Sequence, residues 1–204
     1  MSINDEYRTL EKLSTGIYKE KGSKFLAFAY PVYSEDEIKQ ILDNLRKEYY
    51  DARHHCYAWR LGPEGEPYRI NDDGEPGGTA GKPIHGQLLS HNLSNILIVV
   101  IRYFGGVKLG VSGLIHAYRT AASDAIEQGR ILSKTVNEVY QIQFDYLAMN
   151  EVMKVIKDHN LQVSNQQFDL ACRLELSHRH SEIEFILSLF EKIESVRWEF
   201  LRKE

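Results

Sequence analysis

The residues with the most distinctive chemistry run from Arg102 to Gly113, Arg-Tyr-Phe-Gly-Gly-Val-Lys-Leu-Gly-Val-Ser-Gly. Glycines at 105, 106, 110 and 113 let a backbone turn sharply and approach a ligand closely. The segment leads into a helical pattern, and a helix N-terminus offers free N–H groups and partial positive charge. Lys108 adds a point charge, and the Arg102 guanidinium can grip two oxygens at once. Together with Ser112, His116 and Arg119, the set predicts an anion site suited to phosphate, on a nucleotide or on a nucleic-acid backbone. The same glycines also fit a tight turn that serves packing alone. The pattern matches neither the Walker loop, which ends in Gly-Lys-Ser/Thr, nor the Gly-x-Gly-x-x-Gly dinucleotide fingerprint.

A second cluster comprises His55, Asp72, Asp73, Glu75 and Thr79. Three carboxylates in a glycine-rich loop can hold Mg²⁺ or do acid–base work. Asp-Gly pairs are also standard loop formers, and turn chemistry is the favoured reading. In His54-His55-Cys56, neighbours on a strand point to opposite faces, so at most two could converge on a metal, and no second cluster has ligand spacing. A Cys56 nucleophile with His55 or His85 has no motif behind it. Ser112 lies in Gly-Val-Ser-Gly-Leu, one place away from the Gly-x-Ser-x-Gly elbow. The expectation is therefore no metal and no cofactor.

Charge is distributed unevenly. Of a net −4, all of it falls from Val136 onward, where eight Lys and Arg face twelve Asp and Glu. Gly77 to Ser123 contains no Asp or Glu, yet holds Lys82, Arg102, Lys108 and Arg119. Burial explains missing acids along an apolar strand, but not four cations. The longest apolar run, Ile96 to Ile101, is too short for a membrane span. The start, Met-Ser-Ile-Asn-Asp-Glu, does not read as a signal peptide, and two isolated cysteines fit a reducing compartment; a cytoplasmic location and no membrane partner are expected.

The elements that must position these groups follow from periodicity. Ser14 to Val32 reads as a hairpin with Gly22 in its turn. Ser34 and Glu37 form a capping box ahead of an amphipathic helix over Glu35 to Tyr49. Cys56 to Leu61 reads as a strand, and Tyr68 to Ile70 as extended. A short helix follows Pro83. Asn95 to Tyr103 is a strand buried on both faces by its unbroken apolar run. Gly105 to Gly113 reads as a loop and Leu114 to Gln128 as a helix stopped by Gly129. Beyond a boundary near Ser133 to Asn137, three strands alternate apolar and polar: Tyr140-Ile142-Phe144-Tyr146, Leu170-Cys172-Leu174-Leu176 and Val196-Trp198-Phe200. Helices over about Leu147 to His159 and from Ser181, capped with Glu184, and a weaker strand over Leu161 to Phe168, complete a β-α-β-β-α-β order, the ferredoxin-like pattern. Its wet face shows Gln141, Gln143, Arg173, Glu175, Arg197 and Glu199, with the aromatics turned to the helices, which argues against sheet-stacking RNA recognition. The fold class is α+β in two domains, residues 1–134 and 135–204.

Two blocks, Asp72-Asp-Gly-Glu-Pro-Gly-Gly-Thr-Ala-Gly81 and Arg102-Tyr-Phe-Gly-Gly through Leu-Gly110, with Gly113-Leu-Ile-His-Ala-Tyr118, resemble the Impact family in its bacterial YigZ-type form. The resemblance covers about Lys21 to Gly129, and the C-terminal part is similar to the second domain of bacterial members. Gly77 stands where Ser is common, Ser112 where Gly is common and His116 where Arg is common. The resemblance implies a first domain with the fold of elongation factor G domain IV and the GHMP kinases, and a ferredoxin-like second domain. It also implies a role in translation regulation, with RNA or the ribosome, or a protein of translation control, as partner. A non-enzymatic nucleic-acid- or ribosome-binding protein is the leading expectation. The alternatives are an enzyme acting on a small phosphorylated substrate or nucleotide through Gly105 to Gly113, and a protein-interaction adaptor.

Overall fold

The computed structural model describes residues 5–169 and 171–204; Leu170, assigned above to an alternating strand, lies outside them. The chain divides into two compact units, one spanning Tyr7–Lys134 and the other Thr135–Glu204 with Asp5 and Glu6.

In the first unit the hairpin forms as expected. Strand β2 (Ser14–Glu20) pairs antiparallel with β3 (Ser23–Pro31). Helix α1 (Glu35–Glu48) is capped by Ser34, whose hydroxyl accepts from the Glu37 amide at 3.2 Å. Strands β4 (His54–Arg60) and β5 (Tyr68–Asn71), helix α2 (Gly81–Ser90), strand β6 (Ile96–Tyr103) and helix α3 (Gly110–Glu127) follow. The five strands make an antiparallel sheet of order β2-β3-β6-β4-β5.

Strand β6 lies at its centre, and Ile96 through Ile101 are completely buried. Its odd- and even-numbered residues enter different cores. Ile96, Ile98 and Val100 join Phe25, Ala27, Cys56 and the small residues of α3. Leu97, Val99 and Ile101 join Trp59 and the Ile38-Leu42-Leu45 stripe of α1. The sheet is thus covered by α1 on one face and by α2 and α3 on the other, which is why β6 is apolar without alternation. Alanines at 117, 121, 122 and 125 let α3 lie close on the sheet; a side chain at Gly16 would collide with the Ala125 backbone.

Three boundaries differ from expectation. Helix α2 begins at Gly81, before Pro83, and α3 begins at Gly110 rather than Leu114. Glycine favours loops in general, but in the first turn of a helix its weak helix propensity costs little, because those amides lack intrahelical partners anyway. Strands β1 (Glu6–Leu10) and β7 (Ile131–Thr135), absent from the sequence reading, pair in a two-stranded sheet. Neither alternates cleanly in burial, so neither carries a period-2 signal.

The second unit has the β-α-β-β-α-β order: β8 (Asn137–Asp145), α4 (Met149–Asp158), β9 (Gln162–Phe168), β10 (Ala171–Arg179), α5 (Ile183–Phe190) and β11 (Arg197–Lys203). Its antiparallel sheet has order β11-β8-β10-β9. Ile142, Phe144, Cys172, Leu174 and Leu176 pack with Val152, Ile156, Ile186 and Phe190 of the helices. A 3-10 turn, Tyr146–Ala148, precedes α4, shortening the expected helix. The Ser181 cap is not made. Its hydroxyl donates instead to the Asp5 carboxylate at 2.5 Å, which also takes Arg179, and α5 starts at Ile183. Phe200, on edge strand β11, packs edge-on against Tyr140 yet stays half exposed.

One close approach in the first unit can be tested directly. A Cβ at Gly105 would collide with the backbone of Gly22 and Ser23, whereas one at Gly77 would meet nothing within 4 Å. Gly105→Ala is expected to destabilise the protein by about 2 kcal/mol or more in urea unfolding, through overpacking against backbone that cannot rotate away. Gly77→Ala should stay within about 0.5 kcal/mol of the parent.

Candidate functional site

The acidic loop between β5 and α2 is built around Asp72. Its carboxylate accepts from the amides of Gly78 (2.8 Å), Ala80 (3.0 Å) and Gly81 (2.8 Å). Helix α2 has no side-chain cap of its own, so Asp72 supplies acceptors for its leading amides from outside. Burial pushes the Asp72 carboxyl up, but the Gly78, Gly81 and Ala80 amides, with Lys82, outweigh it and hold the group below its ordinary 3.8. Asp73 accepts from the His55 amide at 2.6 Å, and its own carbonyl accepts from His54 Nδ1 at 2.8 Å. The Thr79 hydroxyl donates to Pro76 O at 2.7 Å. His55 is buried, and burial lowers its pKa, so the ring is neutral near pH 7. Asp72, Asp73 and Thr79 thus hold the loop in shape, in line with the turn-chemistry reading.

What the loop delivers is Glu75. Its carboxylate, 4% exposed, accepts from Arg102 Nη1 at 2.6 Å and from the Tyr118 hydroxyl at 2.8 Å. Cys56 Sγ extends the chain of contacts, 3.3 Å from that hydroxyl and 3.0 Å from Asp72 O. Burial raises the Tyr118 and Cys56 pKa values strongly. A buried thiol held protonated is a poor nucleophile. The Arg102 guanidinium sits between two rings, its Cζ 5.5 Å from the Phe25 centroid and 5.6 Å from that of Phe104. Arg102 was expected to grip an anion with both arms. Instead one arm is committed to Glu75, and its buried Nε has no hydrogen-bond partner. A guanidinium at the end of an apolar strand cannot stay unpaired, and the ion pair meets that demand.

Beside the pair lies a cleft of about 890 Å³. Arg53 and His54 line it from the start of β4, Glu75 and Arg102 from the buried pair, and Phe104, Lys108 and the first turn of α3 from the glycine segment. Lys108 and Arg53 are exposed and form no ion pair among the described residues. Asp51, the acid at the rim, accepts from the Tyr103 hydroxyl at 2.7 Å; that bond, with burial, pushes Tyr103 up to about 12. Helix α3 opens with no acid in its first turn and no side-chain cap. With Gly110 and Val111 in the cleft lining, a helix N-terminus without a side-chain cap thus stands at its wall.

The expected anion set is thereby divided. Lys108, Gly110 and Arg102 line the cleft. Gly105 and Gly106 shape the approach, with Gly106 at φ +87° and Gly105 seated on the hairpin, its amide donating to Ser23 Oγ at 3.1 Å. Gly113 lies half-buried in the first turn of α3. Ser112, His116 and Arg119 are four and three residues apart along α3 and share one exposed stripe, with His116 edge-on to Tyr18. At about 100° per residue that stripe lies on the far side of the helix from the cleft-lining Gly110 and Leu114. Of the expected cations in the glycine segment, Lys108 alone is both exposed and at the cleft. Sequence reasoning missed Arg53 and Phe104; an aromatic beside the glycines of an anion-type loop was the available signal for Phe104. Among the described residues no group of three or more His, Cys, Asp or Glu could hold a metal ion. Among them, too, no helix is long and apolar enough to cross a membrane.

Comparison with known proteins places these blocks in context. The family model described as the Impact N-terminal domain matches residues 21–126. The IMPACT family member YigZ of Escherichia coli (strain K12) is 32% identical over 156 residues, 76% of this chain and 76% of its own. An IMPACT family member of Haemophilus influenzae is 30% identical over 175 residues, 84% of this chain and 85% of its own. A crystal structure of a hypothetical protein, 26% identical, superposes with a TM-score of 0.74 over 98% of this chain and 99% of that one.

Two substitutions test the scaffold of the site. Glu75→Ala leaves Arg102 buried without its counter-charge and is expected to cost about 3–5 kcal/mol in urea unfolding. Glu75→Leu combined with Arg102→Met should cost markedly less, because no charge is then stranded. Asp72→Asn is expected to cost about 1–2 kcal/mol at neutral pH, as for a lost helix cap. Because the folded pKa of Asp72 is depressed, its contribution is present above 3.8 and lost as pH falls through the folded value. The gap between parent and Asp72→Asn should be constant above about pH 5 and narrow below 3.8.

Proposed function

This chain belongs to the Impact family, and from that premise we propose that it acts in translation regulation as a non-enzymatic protein that binds RNA, free or on the ribosome. The observation that carries this reading is the meeting of unpaired Lys108 and Arg53 with the uncapped N-terminus of α3 in one open cleft. Cations and free backbone amides are what phosphate contacts require, and such contacts position a nucleic acid without reading its sequence. The resemblance in the two glycine blocks supplies the link to translation regulation.

The state of the carboxylates favours binding over catalysis. Asp72 and Asp73 are tied to backbone amides and Glu75 to Arg102 and Tyr118. A general base needs an acceptor within reach of substrate, and both Asp72 oxygens and Glu75 Oε1 are already engaged.

Fluorescence anisotropy with a labelled single-stranded RNA, titrated from low to moderate salt, tests the proposal. Affinity should fall steeply with salt through counterion release. Lys108→Ala with Arg53→Ala should weaken low-salt binding by about tenfold or more and make the log–log salt slope shallower by about 1.4, for two single-strand phosphate contacts. Affinity unchanged in that double variant would overturn the reading. A loss only in Arg119→Ala would move the contact to the opposite stripe of α3.

A further inference from the structure

One group at the mouth of the cleft has no part in phosphate binding. Phe104 leaves the end of β6 just after Arg102 and Tyr103 and is 57% exposed. Large aromatics left open to water carry a cost in hydration, and here the ring is not loose. One face lies on the Arg102 guanidinium, which is itself held between Phe104 and Phe25 and bonded to Glu75. The ring thus has a guanidinium packed on it while more than half of the residue stays open to solvent, in the same cleft lining as Lys108. Val107 and Val111, in the same segment, are each more than half exposed, and Val111 also lines the cleft.

Three further observations specify what the ring would receive. The cleft is about 890 Å³, within the range of sites that enclose a small ligand. Two exposed cations, Lys108 and Arg53, line it against one exposed acid, Asp51, which is bonded to the Tyr103 hydroxyl, so the cleft suits an occupant with negative charge. The first turn of α3 has no side-chain cap, and Arg102, which also lines the cleft, keeps a buried Nε without a hydrogen-bond partner. A flat apolar face next to an anion seat matches a nucleotide: base on the ring, phosphate on the amides and ammonium.

Resting on the RNA reading above, we propose that Phe104 is a stacking platform for one unpaired nucleobase, whose adjoining phosphate is held by Lys108 and the first turn of α3. The site is then selective for single strands, because bases inside a duplex have no free face to offer.

Two arms test this on the full chain. In the first, anisotropy compares a single-stranded RNA with a blunt duplex of equal length. The single strand should bind more tightly, and Phe104→Ala should weaken it about fivefold or more while leaving duplex binding and the salt slope unchanged. Phe104→Trp should keep the preference, which separates stacking from a folding defect. In the second, isothermal titration compares adenosine 5′-monophosphate with ribose 5-phosphate. The nucleotide should bind more tightly to the parent, and the two should be equal in Phe104→Ala. Equal binding of the two by the parent overturns the stacking site, whether or not RNA is bound. A nucleotide preference without any RNA binding would keep the stacking site and sink the RNA reading alone. Phe104→Ala indistinguishable from the parent in both arms would assign the exposed ring to another partner, such as a protein, and overturn the proposal.

Discussion

The buried pair of Arg102 and Glu75 is the constraint around which the first unit is arranged. A guanidinium at the exit of a strand sealed on both faces loses its water and must find a counter-charge within the fold. That charge comes from a loop that would otherwise wander, since glycine and proline dominate it. Asp72 gathers three amides, Asp73 ties the loop to β4, and the glycines at 74 and 78 take the positive φ angles the bend needs. The sum of these local contacts is one carboxylate set against one guanidinium at 2.6 Å. The two glycine-rich blocks, far apart in the chain, are halves of one structure.

This pairing changes the meaning of the basic stretch. A segment without acids suggested Arg102, Lys108 and Arg119 for an anion. Arg102 is answered by Glu75 from outside the segment, and Arg119 lies on the other side of α3 from the cleft. The positive character at the cleft is local: an ammonium, a second guanidinium from just ahead of β4 and the end of a helix. Geometry, not the count, decides which charges add.

Much of the fold was legible because the signals were local. The unbroken apolar run of β6, the Ser34-Glu37 cap and the alternation of β8 each follow from residues within one element. What the sequence hid was set at long range. Glu75 and Arg102 are 27 residues apart, and nothing in either neighbourhood names the other. Ser181 has the look of a helix cap, but a carboxylate from the far end of the chain, Asp5, takes its hydroxyl. The glycines at 110 and 113 read as loop by propensity, although a first helical turn tolerates them. By its position after an apolar strand Phe104 reads as the strand's last core residue, and its exposure is set by the fold around it.

The seating of Gly105 against the hairpin turn has a broader consequence. Backbone rests on backbone there, with Gly22 at φ +77° and no side chain between them that could yield. The turn of β2 and β3 therefore acts as a fixed stop that sets the height of the neighbouring residues above the sheet. A change in that turn would therefore act on the segment that carries Phe104 and Lys108. Variation in the hairpin is thus a route by which related chains could retune the mouth of the cleft without changing any residue that lines it.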